Sequence, residues 1–230
     1  MPGVVGNVGQ TKVSQAISID VYSDVVCPWC YIGKRKLEQA LASLAEQNVA
    51  VTPYWRAFQL NPDMPAAGVA RKEYVETKFG GAERAKEIYA RVAGVGNEVG
   101  IAFQFDQIER QPNTINAHRL IAYAGAHGNQ DAVSEALFRA FFLDLRDIGD
   151  VAALSDIAAK TGLNRDAVYA YLSSDQGAAA AQQEDAIARQ LGITGVPFFV
   201  FGGKYAVSGA QNPDVLVQAY EQAASELATS

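Results

Sequence analysis

Both cysteines of the chain lie in one tetrapeptide, Cys27-Pro28-Trp29-Cys30. A disulfide that staples a fold gains most by closing a long loop, and a bond here would close nearly the shortest loop available. Positions i and i+3 at a helix start can bring two Cα atoms within the roughly 4.4–6.8 Å that a disulfide needs. Such a pair can close and open without unravelling its surroundings, which is the requirement of thiol–disulfide exchange. A pair of buried free thiols is the structural alternative. Its weakness is the enclosed Pro-Trp at a strand-to-helix junction. Zinc is the third reading, but a structural site takes four ligands, there is no second cysteine pair, and His118 and His127 lie far along the chain.

The flanking pattern sets the fold. Ile17 to Tyr22 alternates in β fashion, and a helix with Leu37, Leu41 and Leu44 at helical spacing follows the cysteines. A second strand is expected over residues 49 to 56, completing a β-α-β unit with parallel pairing. After the turn-rich Leu60-Asn61-Pro62-Asp63-Met64-Pro65 comes a long stretch of helical periodicity, punctuated at Gly80-Gly81, Gly128-Asn129 and Thr161-Gly162. It includes the stripe Phe138, Phe141, Phe142, read as core rather than as a ligand box. Ile101 to Phe105 is expected to be a short extended piece.

The last section returns to mixed character. Asp175 is expected to cap a helix through Ala178 to Leu191, with Gly192 as its stop. Phe198 to Phe201 and Tyr205 to Val207 form a hairpin across Gly202-Gly203-Lys204. Asn212-Pro213-Asp214 opens a final helix. The chain thus reads as an α/β protein: a flexible tail over 1–16, a β-α-β … α-β-β-α domain over 17–62 and 176–230, and an all-helical insertion over 63–175.

Nearly half of the residues are hydrophobic, enough for a substantial core, and the formal charge is −6. That charge argues against nucleic acid, whose phosphates call for clustered Lys and Arg. The run Lys34-Arg35-Lys36 reads as a solvated helix face. No apolar run approaches the ~18–20 residues of a membrane span, and residues 1–16 do not read as a secretory signal. The expected setting is cytoplasmic, where most dithiols are held reduced. Monomer and homodimer are both compatible with the sequence.

With Cys27 at the helix cap and Pro28 at the first helical position, the Cys27 sulfur is expected to face unpaired backbone N–H groups. Those donors and the positive dipole end favour a thiolate there. Cys30, one turn inward and more buried, suits a resolving thiol. Trp29 is expected to cover the sulfurs. Asp24, three residues before Cys27, reads either as a turn-forming Asp or as a proton acceptor that tunes the thiolate. His118 lies in a helical stretch, where a hydrogen-bonded helical histidine is the default.

The stretch Asp20-Val21-Tyr22-Ser23-Asp24-Val25-Val26-Cys27-Pro28-Trp29-Cys30-Tyr31-Ile32-Gly33-Lys34 resembles the FrnE-like branch of the DsbA family of thioredoxin-fold oxidoreductases. Three further pieces agree in order: Phe58-Gln59-Leu60-Asn61-Pro62, Asn113-Thr114-Ile115-Asn116-Ala117-His118-Arg119 and Gly195-Val196-Pro197-Phe198-Phe199-Val200. The resemblance implies a DsbA-like fold, a thioredoxin-like domain interrupted by the helical insertion. It implies a catalytic pair of Cys27 and Cys30, with Pro28 and Trp29 as the motif between them. It also implies a cis Val196-Pro197 peptide facing the cysteines, with Val196 hydrogen-bonding an extended substrate or glutathione, and a cleft-lining role for His118.

Substrates would be protein or low-molecular-weight disulfides and thiols, with no tightly bound cofactor and no metal, and glutathione as a co-substrate. Better-known DsbA members carry a histidine between the cysteines and an export signal. Trp29 and the missing leader therefore point to a milder dithiol. A glutathione-dependent isomerase or transferase of the 2-hydroxychromene-2-carboxylate isomerase or kappa type is the enzymatic alternative, although those use a serine-type group at the Cys27 position. A holdase-like binding module is the non-enzymatic one.

Overall fold

The computed structural model describes residues 17–229; the tail expected over 1–16 lies outside the described residues. Strand β1 (Ile19–Ser23) leads through Cys27 into helix α1 (Pro28–Glu46), and β2 (Pro53–Ala57) returns parallel to β1 with Ile19 opposite Pro53. Both strands start later than the alternation suggested. Asn48, at a φ of 63°, turns the chain out of α1. Pro53, which lacks an N–H, is suited to a first strand position.

The middle section comprises α2 (Arg71–Phe79), α3 (Ala82–Glu98), α4 (Ile115–Gly125), α5 (Gln130–Phe142), α6 (Val151–Lys160) and α7 (Arg165–Leu172). It is not purely helical. The two-residue strands β3 (Val69–Ala70) and β4 (Arg110–Gln111) pair antiparallel at its base. The alternating Ile101 to Phe105 is no strand; it runs into a 3₁₀ turn at Phe105–Gln107, with Phe103 and Phe105 stacked at 4.7 Å between ring centroids. Helix α8 (Ala178–Gln190) then leads into the hairpin β5 (Phe198–Phe201) and β6 (Tyr205–Ser208), closed by α9 (Pro213–Leu227). The main sheet runs β2-β1-β5-β6, with β1 antiparallel to β5 and β5 to β6.

Two cap assignments differ from expectation. Helix α8 starts after Gly177, whose φ of 76° makes the turn; Asp175 contributes only its backbone carbonyl, to Ala178 N at 3.2 Å. Asn212 stands at the N-cap of α9, but its side chain accepts from Lys36 Nζ at 3.4 Å instead of capping. Lys34-Arg35-Lys36 is no solvated face either. Helix α1 is covered by α9 on one side and by α3 and α5 on another. Lys34 is accordingly 2 % exposed. It pairs with Glu38, with Asp131 at 3.3 Å and with Glu135 at 3.5 Å. Burial opposes its charge, and these carboxylates outweigh that, holding the amine above its ordinary range.

One apolar core runs through both sections. Tyr31 of α1 stacks on Phe138 of α5 at 5.0 Å, and Trp55 of β2 meets Phe138 edge-on at 6.2 Å. Phe138, Phe141 and Phe142 are all buried, as the reading of that stripe as core required. No helix among the described residues is long and apolar enough to cross a membrane.

Candidate active site

Cys27 occupies the cap of α1 in extended conformation (φ −91°, ψ 113°), with Pro28 at the first helical position. Its N–H donates to Asp24 O at 2.9 Å, and its carbonyl accepts from Cys30 N at 3.0 Å and Tyr31 N at 3.3 Å. The sulfur, expected to face the helix N–H groups, makes no cap bond. It donates instead to Val196 O at 3.6 Å. The free N–H groups of a helix start are donors and cannot accept from a thiol, whereas the Val196 carbonyl can.

Both cysteines are free and buried, Cys30 more deeply. Burial, first, and then the hydrogen bond and charge of Cys27 push the Cys30 thiol well above its ordinary range; the Ser23 hydroxyl and Asp24 backbone oppose this only in part. Trp29, between the two cysteines in sequence, is 41 % exposed.

The Val196-Pro197 peptide is cis. It sits beside Cys27 although 169 residues separate the two in sequence. Behind the cysteines, Asp24 is fully buried. One of its oxygens accepts from Leu60 N at 2.8 Å. The other lies 3.4 Å from His118 Nε2, within ion-pair range but without a formed hydrogen bond. The Phe58-to-Pro62 and Asn113-to-Arg119 stretches meet here as well. Gln59 Nε2 reaches Thr114 Oγ1 at 3.3 Å, and Gln59 N donates to Asp185 Oδ1 at 2.7 Å. Arg119 is buried and serves structure: it donates to Leu172 O and Gln176 O at 3.1 and 2.9 Å, tying α7 to the turn before α8.

The fold thus gathers Cys27, Cys30, Val196, Pro197, Asp24 and His118 into one region. Three contributors had no separate signal in the sequence. Ser23 faces Cys30 from the end of β1. Gly33 packs against Pro197. Tyr74 of α2 feels the charges of Asp24 and Cys27, although burial is the main cause of its raised pKa. Its helical periodicity marked Tyr74 only as a packing residue. With Leu60, Asn61 and Met64 it lines a pocket of about 390 Å³. Among the described residues no group of His, Cys, Asp and Glu could hold a metal ion.

A thioredoxin-like sheet, a long insertion after β2, and a Cys-x-x-Cys helix start facing a cis-proline define a class of thiol-dependent proteins. The chain belongs to the DSBA-like thioredoxin domain family, whose model matches residues 18–221. It is 32 % identical to the crystal structure of a probable DsbA oxidoreductase from Streptomyces coelicolor, which superimposes with a TM-score of 0.83 over 91 % of each chain. An uncharacterised protein of Bacillus subtilis (strain 168), YwbO, is 25 % identical over 208 residues, 88 % of this chain and 95 % of that one. At 16 % identity two further structures share the fold. A 2-hydroxychromene-2-carboxylate isomerase matches with a TM-score of 0.67 over 92 % of this chain and 98 % of its own. The cytosolic disulfide reductase DsbM of Pseudomonas aeruginosa, in a structure with GSH, matches with 0.57 over the same shares.

Proposed function

We propose that the chain is a thiol–disulfide oxidoreductase acting on protein or low-molecular-weight disulfides, with Cys27 as nucleophile and Cys30 as resolving thiol. The asymmetry of the pair carries this reading. Cys27 lies against the Val196 carbonyl at 3.6 Å, where the backbone of an extended substrate can be held beside it. Cys30 lies deeper, and burial keeps its proton on.

The chemistry is two successive exchanges. The Cys27 thiolate attacks one sulfur of the substrate disulfide; a Cys27–substrate disulfide forms, and the other substrate sulfur leaves as a thiolate that takes up a proton. Cys30 then loses its proton and attacks the Cys27 sulfur. The Cys27–Cys30 bond forms, the substrate leaves as thiol, and two electrons have passed from protein to substrate. Asp24 meets Cys30 through its backbone and faces His118 with its carboxylate. To this pair we assign help in moving the Cys30 proton.

Glutathione is the small thiol we assign as co-substrate; the DsbM structure with GSH supports this choice by its shared fold. The reading carries a cytoplasmic setting, in which the pair starts reduced and works as a reductant. It also carries the FrnE-like branch, and a division into a thioredoxin-like part over 17–62 and 176–230 and an insertion over 63–175.

The test is Cys30→Ala. Mixed with insulin, this variant should accumulate a covalent adduct on Cys27, while the intact protein reduces insulin with dithiothreitol as electron source. The absence of both adduct and turnover would overturn the reading. The fold shared with the 2-hydroxychromene-2-carboxylate isomerase supports a second reading. Turnover of an aromatic substrate that needs glutathione but not Cys30 would favour it. Having two sulfurs, rather than one nucleophile, is the reason to rank redox exchange first.

A further inference from the structure

Gly33 lies inside α1, six residues beyond Cys27, and glycine is a poor residue for a helix interior. Its φ is not among the positive ones, so backbone freedom does not explain it. Close approach does. A Cβ at this position would stand 2.8 Å from Pro197 Cγ, 3.3 Å from Pro197 Cβ and 3.3 Å from Phe199 Cζ. Favourable carbon contacts begin near 3.5 Å. The Pro197 ring therefore rests directly on the helix backbone, in the space a side chain would fill.

Pro197 is not free to retreat. Its carbonyl accepts from Gly209 N at 2.8 Å. Phe198 is already in register opposite Tyr22, and Phe199 is fully buried opposite Val21. The residue before Pro197 supplies the carbonyl that meets the Cys27 sulfur. Whatever lifts the proline off α1 must therefore move Val196 relative to that sulfur.

We propose that Gly33 is a positioning residue of the redox site: by carrying no side chain it seats Pro197 on α1 and so fixes the Val196 backbone at bonding distance from Cys27. This rests on the redox reading above and adds to it a residue that touches neither sulfur nor substrate. A displacement of a few tenths of an ångström would move the Val196 backbone that is to hold an extended substrate rather than either sulfur, so the loss should fall mainly on substrate binding.

The experiment follows insulin reduction with dithiothreitol in the intact protein, Gly33→Ala, Pro197→Ala and the double variant. Gly94→Ala is the control: Gly94 lies in α3, and a Cβ there meets nothing within 4 Å. Gly33→Ala is expected to lower kcat/KM about 10-fold, mostly through KM, while the protein stays folded; Gly94→Ala should leave turnover unchanged.

In the Pro197→Ala background, where Cγ is gone, Gly33→Ala should add less than a twofold loss, the non-additivity of residues in contact. A folded Gly33→Ala with intact kinetics would overturn the proposal. So would a loss of equal size with and without the proline ring, which also covers a single variant that fails to fold. An intact protein inert toward insulin would instead count against the redox reading.

Discussion

Burial keeps the Cys30 thiol protonated, and the stability of the reduced protein must follow that. The folded pKa lies well above the ordinary value. A group raised in this way contributes stability that is full below its unfolded pKa, about 8.5 for a thiol, and is lost as pH climbs toward the folded value. In the presence of reductant the urea midpoint is therefore expected to hold level through neutral pH and to fall from about pH 8.5 upward. Tyr31 and Tyr89, both pushed up to about 12 by burial, add to the fall only above about pH 10, where an unfolded tyrosine ionises. Replacing Cys30 by Ala should remove the step between about pH 8.5 and 10, and a step that survives the replacement would assign it elsewhere. Asp24→Asn tests the proposed part of Asp24 in moving the Cys30 proton. With the carboxylate gone, release of the mixed disulfide from Cys27 is expected to slow about 10-fold near neutral pH and to recover at alkaline pH. A stopped-flow measurement of product release against pH reads this directly.

The edge of β2 shows how side chains from two helices finish the sheet. Among the described residues the strand pairs only with β1. Its outward groups are met by side chains: Gln130 of α5 accepts from Trp55 N at 2.9 Å and donates to Trp55 O at 3.0 Å. One turn of strand further, Glu184 of α8 accepts from Ala57 N at 2.8 Å. An edge strand left bare is a template for pairing with another chain, so this covering both stabilises and isolates. Gln130→Ala leaves a donor and an acceptor of the buried Trp55 backbone unmet and should cost about 2 kcal/mol in urea unfolding. Gln130→Glu, which keeps an acceptor but loses the amide donor, should fall between. Periodicity located β5, β6 and the helices well because their buried faces repeat. It missed these partners, because a polar residue such as Gln130 or Glu184 reads from sequence as surface. The same blindness misplaced Lys34, whose three carboxylates come from α1 itself and from α5, about 100 residues away in the chain. Capping was misjudged at Asp175 and Asn212 for the related reason that a cap depends on a backbone angle and on rival donors. At Asp150 and Asn164, where no rival intervenes, the side chains do cap, with bonds to Ala153 N at 2.7 Å and Ala167 N at 2.9 Å.

Across the whole molecule, the site was more legible than its setting. Cys27 and Cys30 stood out by their spacing and the Val196-Pro197 pair by family resemblance, and the structure brings Cys27 within 3.6 Å of the Val196 carbonyl. The contributions of Gly33 and Tyr74 exist only once distant elements are packed together. The change of periodicity suggested a division into two parts, yet residues of both stretches share one interior. Tyr31 sits one residue after Cys30 and stacks on Phe138 and Phe142, while Trp55 packs on Phe138 from the sheet side. Arg35 and Lys34 on the next turn of α1 bind Glu135 of the same helix α5. The redox helix is thus held from one side by the sheet and from the other by the insertion. A chain lacking 63–175 would expose Tyr31 and Trp55 together with the buried Lys34. Unfolding should consequently be one event, with near-ultraviolet dichroism from the aromatic core and alkylation of Cys30 reporting the same urea midpoint. Phe138→Ala, which removes a fully buried ring at the seam, should cost about 3–5 kcal/mol and move both midpoints together. Were only the dichroism to shift while Cys30 stayed protected, the insertion would be an independent unit, and its grip on the redox helix would be weaker than the shared core implies.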